Sequence, residues 1–147
     1  MLLCDSNVLL ALTLSEHVHH GATRMWLDSV QEPESILICR ATQQTFLRLL
    51  TNSSVLSAYG HQPLTNREAW SVYEALLADD RVVFQVDEPR GVDAVWKAFA
   101  ARNTASPKLW MDAYLAALAL TGGHQMVTTD GAFRQFRDLK LLVLGSS

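Results

Sequence analysis

Asp5, Asp112 and Asp130 are the side chains of this sequence best suited to do chemistry as a group. Asp5 follows the apolar run Leu2-Leu3-Cys4, and Asp130 follows Gln125-Met126-Val127 by way of Thr128 and Thr129. Asp112 opens Asp112-Ala113-Tyr114-Leu115-Ala116-Ala117-Leu118-Ala119-Leu120, a segment apolar on every side and therefore suited to a buried helix. Singly, each acid has an ordinary explanation: Asp5 or Asp112 can cap a helix, and Asp130-Gly131 is a common turn pair. Jointly, three carboxylates repel, and such a cluster costs stability unless cations sit between them. Hard divalent ions such as Mg²⁺ and Mn²⁺ take oxygen ligands, keep several waters and complete their shell with substrate phosphate. The chemistry that fits is phosphodiester hydrolysis, in which metal generates the attacking hydroxide and stabilises the leaving oxygen.

Whether the acids meet depends on the elements that carry them. Leu2-Leu3-Cys4, Ile36-Leu37-Ile38-Cys39, Val82-Val83-Phe84, Gln125-Met126-Val127 and the final run Leu139 to Leu144 have the length and composition of short buried strands. Helical spacing of apolar residues predicts helices over Val8–Leu12, His20–Val30, Thr42–Leu50, Asn66–Leu77 with Thr65 as cap, Gly91–Ala101 and Trp110–Leu120. Residues 51–64 read as a surface loop with a short apolar patch, and a helical turn is expected near Phe133–Phe136. Strands separated by helices imply parallel pairing, because a parallel connection needs a crossover. The expected fold is α/β, a central parallel sheet between helical layers, with residues 1–147 forming a single domain. Ligands of such sheets gather outside the carboxyl ends of the strands, the edge to which both Asp5 and Asp130 are delivered. Gly131 would let the chain turn away from that edge without crowding it.

Composition narrows the function classes. A chain of 147 residues with 49% apolar and 18% charged residues is long enough to bury a real core and is not of disordered composition. The formal net charge of −3 argues against a non-specific coat on duplex DNA, which needs a basic surface. Catalysis on nucleic acid stays open, since acids in a cation site can mask a basic rim in the total. No apolar run approaches the roughly 18 to 20 residues of a membrane span, and Met1 to Asp5 lacks a basic targeting region, so no membrane association and a cytoplasmic location are expected. Cys4 and Cys39 read as reduced core residues.

Asp5-Ser6-Asn7-Val8-Leu9-Leu10, Asp112-Ala113-Tyr114-Leu115-Ala116-Ala117-Leu118-Ala119 and Thr128-Thr129-Asp130-Gly131-Ala132-Phe133 together resemble the PIN-domain nucleases, and more narrowly the VapC toxins of bacterial toxin–antitoxin pairs. The resemblance spans nearly the whole sequence. It implies a PIN-like three-layer αβα fold and a Mg²⁺-dependent (Mn²⁺ as the alternative) endoribonuclease that cleaves structured RNA such as tRNA or rRNA. It also implies a homodimer held inactive by a cognate VapB-type antitoxin. Asp5 and Asp112 would ligate the principal metal, Asp130 would bind or orient through water, and Asn7 with Thr128 or Thr129 would fix the carboxylates. Arg40 and, more weakly, Arg48 are candidates for contacting RNA phosphate. The sequence departs from the family at one acid: the helix after the second strand normally carries a Glu, and Arg40-Ala41-Thr42-Gln43-Gln44-Thr45-Phe46-Leu47-Arg48 has none. Thr45 aligns with it and Gln43 and Gln44 stand nearby; their oxygens can orient a water but add no charge.

Other features invite chemistry less strongly. Glu16-His17-Val18-His19-His20 has metal-like spacing, but His61 and His124 stand alone and no second ligand group completes a zinc site. Trp26, Trp70, Trp96 and Trp110 are widely spaced, and the three in amphipathic helices suit core or dimer packing better than base stacking; Leu56-Ser57-Ala58-Tyr59-Gly60 suits either an antitoxin-gripping surface or a cap on the core. Two rival readings remain: a degenerate PIN module that binds RNA or protein without cutting, and an aspartate-nucleophile phosphatase with Asp5 as nucleophile. The second wants an Asp two residues on, where Asn7 stands.

Overall fold

In the computed structural model, which describes residues 1–145, five strands form one sheet: β1 (Leu2–Cys4), β2 (Ile36–Ile38), β3 (Val82–Phe84), β4 (Gln125–Thr128) and β5 (Leu141–Val143). Their spatial order is β3-β2-β1-β4-β5, and every neighbouring pair is parallel, as the spacing of strands and helices predicts. The chain runs outward from β1 through β2 to β3, then crosses to the other side of β1 for β4 and β5. The order therefore reverses between β1 and β4, the switch point at which doubly wound sheets open a crevice.

Side chains alternate along each strand, so one sheet feeds two cores. Cys4, Ile36, Ile38 and Val127 pack with α1 (Ser6–Thr13), α2 (His20–Ser29), α3 (Arg40–Leu50), α4 (Ser53–Ser57) and α5 (Asn66–Leu77). Leu3, Leu37 and Met126 face the opposite way, onto α6 (Val92–Ala100) and α7 (Leu109–Gly122). α7 buries Ala113 and the run Leu115 to Ala119, and ends at Gly123 in the left-handed conformation (φ 69°). Thr65 and Glu68 close a reciprocal capping box on α5. Cys4 and Cys39 are buried free thiols. Among the described residues no helix is long and apolar enough to cross a membrane.

Two expectations need correction. Residues 51–64 are not all loop: Asn52 caps the short helix α4 by accepting from the Val55 amide, and Leu56 is buried in the core. A five-residue helix is too short to show a period. The patch around Leu56 thus caps the core, with Tyr59 stacked on His17 at 4.8 Å between ring centroids. Trp26 is buried in the core, as expected of a tryptophan in an amphipathic helix, Trp96 packs partly buried against the core, and Trp70 and Trp110 are about half exposed, at 48% and 56%. Gly131 has no positive φ, and the space a side chain would claim there is taken by the guanidinium of Arg134.

Candidate active site

The switch point places the acids. Asp5 leaves the end of β1, Asp130 follows the end of β4, and these two strands pair directly, with Cys4 opposite Val127. The Asp5 amide donates to the Val127 carbonyl at 2.9 Å, so the ladder continues to the edge where the acids stand. Asp5 occupies the N-cap position of α1, yet its carboxylate makes no capping bond. It is instead held from the side: Thr128 Oγ1 donates to Asp5 Oδ2 at 2.9 Å and Ser6 Oγ to Oδ1 at 3.4 Å. Thr128 also accepts from the Asp130 amide at 3.0 Å, so one buried hydroxyl ties both acids to β4.

Asp112 comes from the other helical layer. α7 begins at Leu109, so Asp112 is the fourth residue of the helix and not its cap, and it is half-buried. Asp130 keeps its ordinary role as well, since its Oδ1 caps the one-turn helix η1 (Gly131–Gln135) through the Ala132 amide at 2.9 Å.

Electrostatics couples the three. Burial pushes the Asp112 carboxyl up to about 6, and the charges of Asp5 and Asp130 push the same way. Asp5 is also raised, first by its own burial and then by Asp130, against the opposing pull of its hydrogen bonds to Thr128 and Ser6. No basic side chain pairs with any of the three among the described residues. Among the described residues no three Asp, Glu, His or Cys side chains are grouped so as to hold a metal ion by themselves. An open edge of oxygen donors with raised carboxyl groups suits a hard cation held by one or two carboxylates, waters and phosphate, and a cation would restore the ionised form.

The remaining sequence candidates divide. Asn7 is exposed and bonds to neither carboxylate, because it lies on the solvent side of α1 while Val8 to Ala11 are buried. Thr129 is half-buried and makes no such bond either; of the expected fixing residues only Thr128 does so, and Ser6 was missed. Where the family Glu is absent, Gln43 is the buried residue and Thr45 is not. Gln43 Oε1 accepts from Arg40 Nη1 at 2.6 Å, and the Arg40 guanidinium lies 4.6 Å from the Phe84 ring centroid, which places Arg40 at the carboxyl ends of β2 and β3. Arg48 sits eight residues further along α3, about 12 Å away, and is not brought to this edge. The histidines are engaged elsewhere: His20 Nδ1 contacts the Ala11 carbonyl at 2.7 Å and His61 contacts Glu16 at 2.8 Å.

This arrangement has relatives. The PIN-domain family matches residues 2–139. Ribonuclease VapC41 of Mycobacterium tuberculosis is 60% identical over 144 residues, which cover 98% of this chain and 99% of the relative. VapC20 of the same organism, described as a sarcin–ricin loop cleaving toxin, superposes with a TM-score of 0.61 at 18% identity, over 95% of this chain and 99% of the other. VapBC2 of Rickettsia felis, solved on a DNA fragment of its promoter, superposes with a TM-score of 0.68 at 11% identity, over 97% and 98%. The two structural likenesses speak for the fold. The family match and the sequence identity displace the phosphatase alternative: this chain belongs to the PIN-domain family, among the VapC ribonucleases.

Proposed function

We propose that the chain is a metal-dependent endoribonuclease toxin that cuts structured RNA, tRNA or rRNA, at the edge formed by β1, β4 and the first turn of α7. A VapB-type antitoxin restrains it, and it works as a homodimer in the cytoplasm. The observation that carries this reading is the meeting of Asp5 and Asp130 at the paired ends of β1 and β4, tied by the Thr128 hydroxyl, with Asp112 close enough that their charges add to burial in raising its carboxyl. Asp5 and Asp112 are the residues to hold Mg²⁺ or Mn²⁺, with Asp130 acting through water. A bound divalent ion neutralises charge on the phosphate and makes a water more acidic. Thr128 and Ser6 fix the orientation of the Asp5 carboxylate, and the Thr128 hydroxyl sets the backbone from which Asp130 projects. Arg40, steadied by Gln43 and the Phe84 ring, supplies positive charge to RNA approaching over β2. Gln43 brings no charge to the position of the family Glu, so the principal ion depends on Asp5 and Asp112. The named activity of VapC41 supports ribonuclease chemistry, and VapC20 and VapBC2 motivate the rRNA and antitoxin parts.

The test is cleavage of a pooled tRNA and rRNA substrate by the purified protein with Mg²⁺ or Mn²⁺. Asp112→Asn is expected to lower cleavage roughly 100-fold or more, and EDTA to abolish it. A well-folded wild-type protein that cuts nothing with either metal, free of antitoxin, would replace this reading with the non-cleaving module.

A further inference from the structure

Arg102 and Lys108 flank the loop between α6 and α7, and neither has an acidic partner; the ion pairs among the described residues use Arg24, Arg81 and His61. Both line one open cleft of about 420 Å³, and Asp112 lines it too. Ser106 and Gln135 complete its polar lining, and Gln135 is the last residue of η1, the one-turn helix that Asp130 caps. Arg102 Nη2 donates to Gln135 Oε1 at 2.6 Å. The guanidinium is thus held across the gap between the element carrying Asp112 and the element carrying Asp130. Its anchor is neutral and no ion pair engages it among the described residues, which leaves its remaining N–H donors free for an anion.

An RNA strand that reaches three carboxylates meets repulsion along its whole backbone, so a cutting site needs cations beside it. We propose that this cleft is an RNA backbone subsite, in which Arg102 and Lys108 grip the phosphate next to the one that is cut. The assignment rests on the nuclease reading above and adds to it a direction: the strand leaves Asp112 over the loop of residues 102–108. Arg40 lies at the far side of the acids, over β2 and β3, so the two sites bracket the cut.

Binding measured without cleavage tests this. Fluorescence anisotropy of a labelled RNA stem–loop in EDTA, across a salt series, gives both affinity and the salt slope for the full chain. Arg102→Ala and Lys108→Ala are each expected to weaken binding about 3- to 10-fold and to reduce the slope by nearly 1. Arg24→Ala, which removes equal charge from the distant pair with Asp28, is expected to leave the slope unchanged. Gln135→Ala separates gripping from positioning: the proposal expects an unchanged slope, whereas a loss equal to that of Arg102→Ala with no slope change in either makes Arg102 a tether for η1 and overturns it. Wild-type affinity and slope in both Arg102→Ala and Lys108→Ala also overturn it. Cleavage of the same RNA with Mg²⁺ is scored separately: a protein that binds but does not cut refutes the nuclease reading while the slopes still decide the subsite, and one that does neither refutes both.

Discussion

The two edges of the sheet treat their aspartates in opposite ways. At the amino ends of β2 and β3, Asp79 accepts two side-chain bonds from Arg81, at 2.9 and 2.7 Å, and a third from its backbone amide. Arg81 also donates to the carbonyls of Leu27 and Val30 that close α2, and Asp79 falls to about 2. At the carboxyl ends Asp5, held by the Thr128 and Ser6 hydroxyls, and Asp112 are both raised, and neither forms an ion pair among the described residues. The chain therefore has the means to neutralise a carboxylate and uses it only where structure is at stake. Charge left uncompensated on one edge is strain that a ligand can relieve, and charge fully paired on the other holds the sheet to its helices.

Three experiments can break that contrast. Arg81→Ala should be the costliest, at about 2–4 kcal/mol, because it strips Asp79 of its guanidinium partner and two carbonyls of their donor; a fall in Tm of about 5–10 °C is expected, with RNA cleavage at lower temperature unaffected. Since Asp79 is lowered from 3.8 to about 2, its contribution is present above pH 3.8 and is lost as pH falls toward 2. Next is Thr128→Val, which strips the donor from Asp5 and the acceptor from the Asp130 amide; cleavage should fall about 10- to 100-fold, with Thr128→Ser recovering most of it. The smallest effect has the reverse sign. In EDTA, Asp112→Asn should raise Tm at pH 7.5 by about 2–4 °C, for about 1 kcal/mol after solvent screening. Asp112 is raised from 3.8 to about 6, so its ionisation disfavours the fold above pH 6; the gain should shrink as pH falls from 6 and vanish below about 4. A metal-free Asp112→Asn protein no more stable than wild type at pH 7.5 would erase the difference between the edges.

Much of this edge was legible because strand ends are marked locally. A short apolar run followed by Asp, twice, together with the crossover rule, is enough to bring Asp5 and Asp130 side by side. Asp112 stood out as the one charge on an otherwise apolar helix. What sequence could not supply were contacts set by tertiary geometry. Ser6 and Asn7 are equal as cap-forming types, and only the direction in which α1 faces the core decides that Ser6 reaches Asp5 while Asn7 meets solvent. Choosing Gln43 over Thr45 depends likewise on which side of α3 turns inward. Arg102 and Gln135 are 33 positions apart on unrelated elements, and nothing in their neighbours signals the bond between them.

The bond between Thr128 and Asp5 spans 123 positions. During synthesis β1, β2 and β3 emerge first, and β4 must later insert beside β1, in the middle of the sheet. Until then Asp5 lacks the Thr128 hydroxyl, and Asp130, which follows β4, is not beside it. On the proposed site, a growing chain carries the first acid without the rest. The ribosome that makes the protein would then meet a completed site only after β4 has been released and the centre of the sheet has closed.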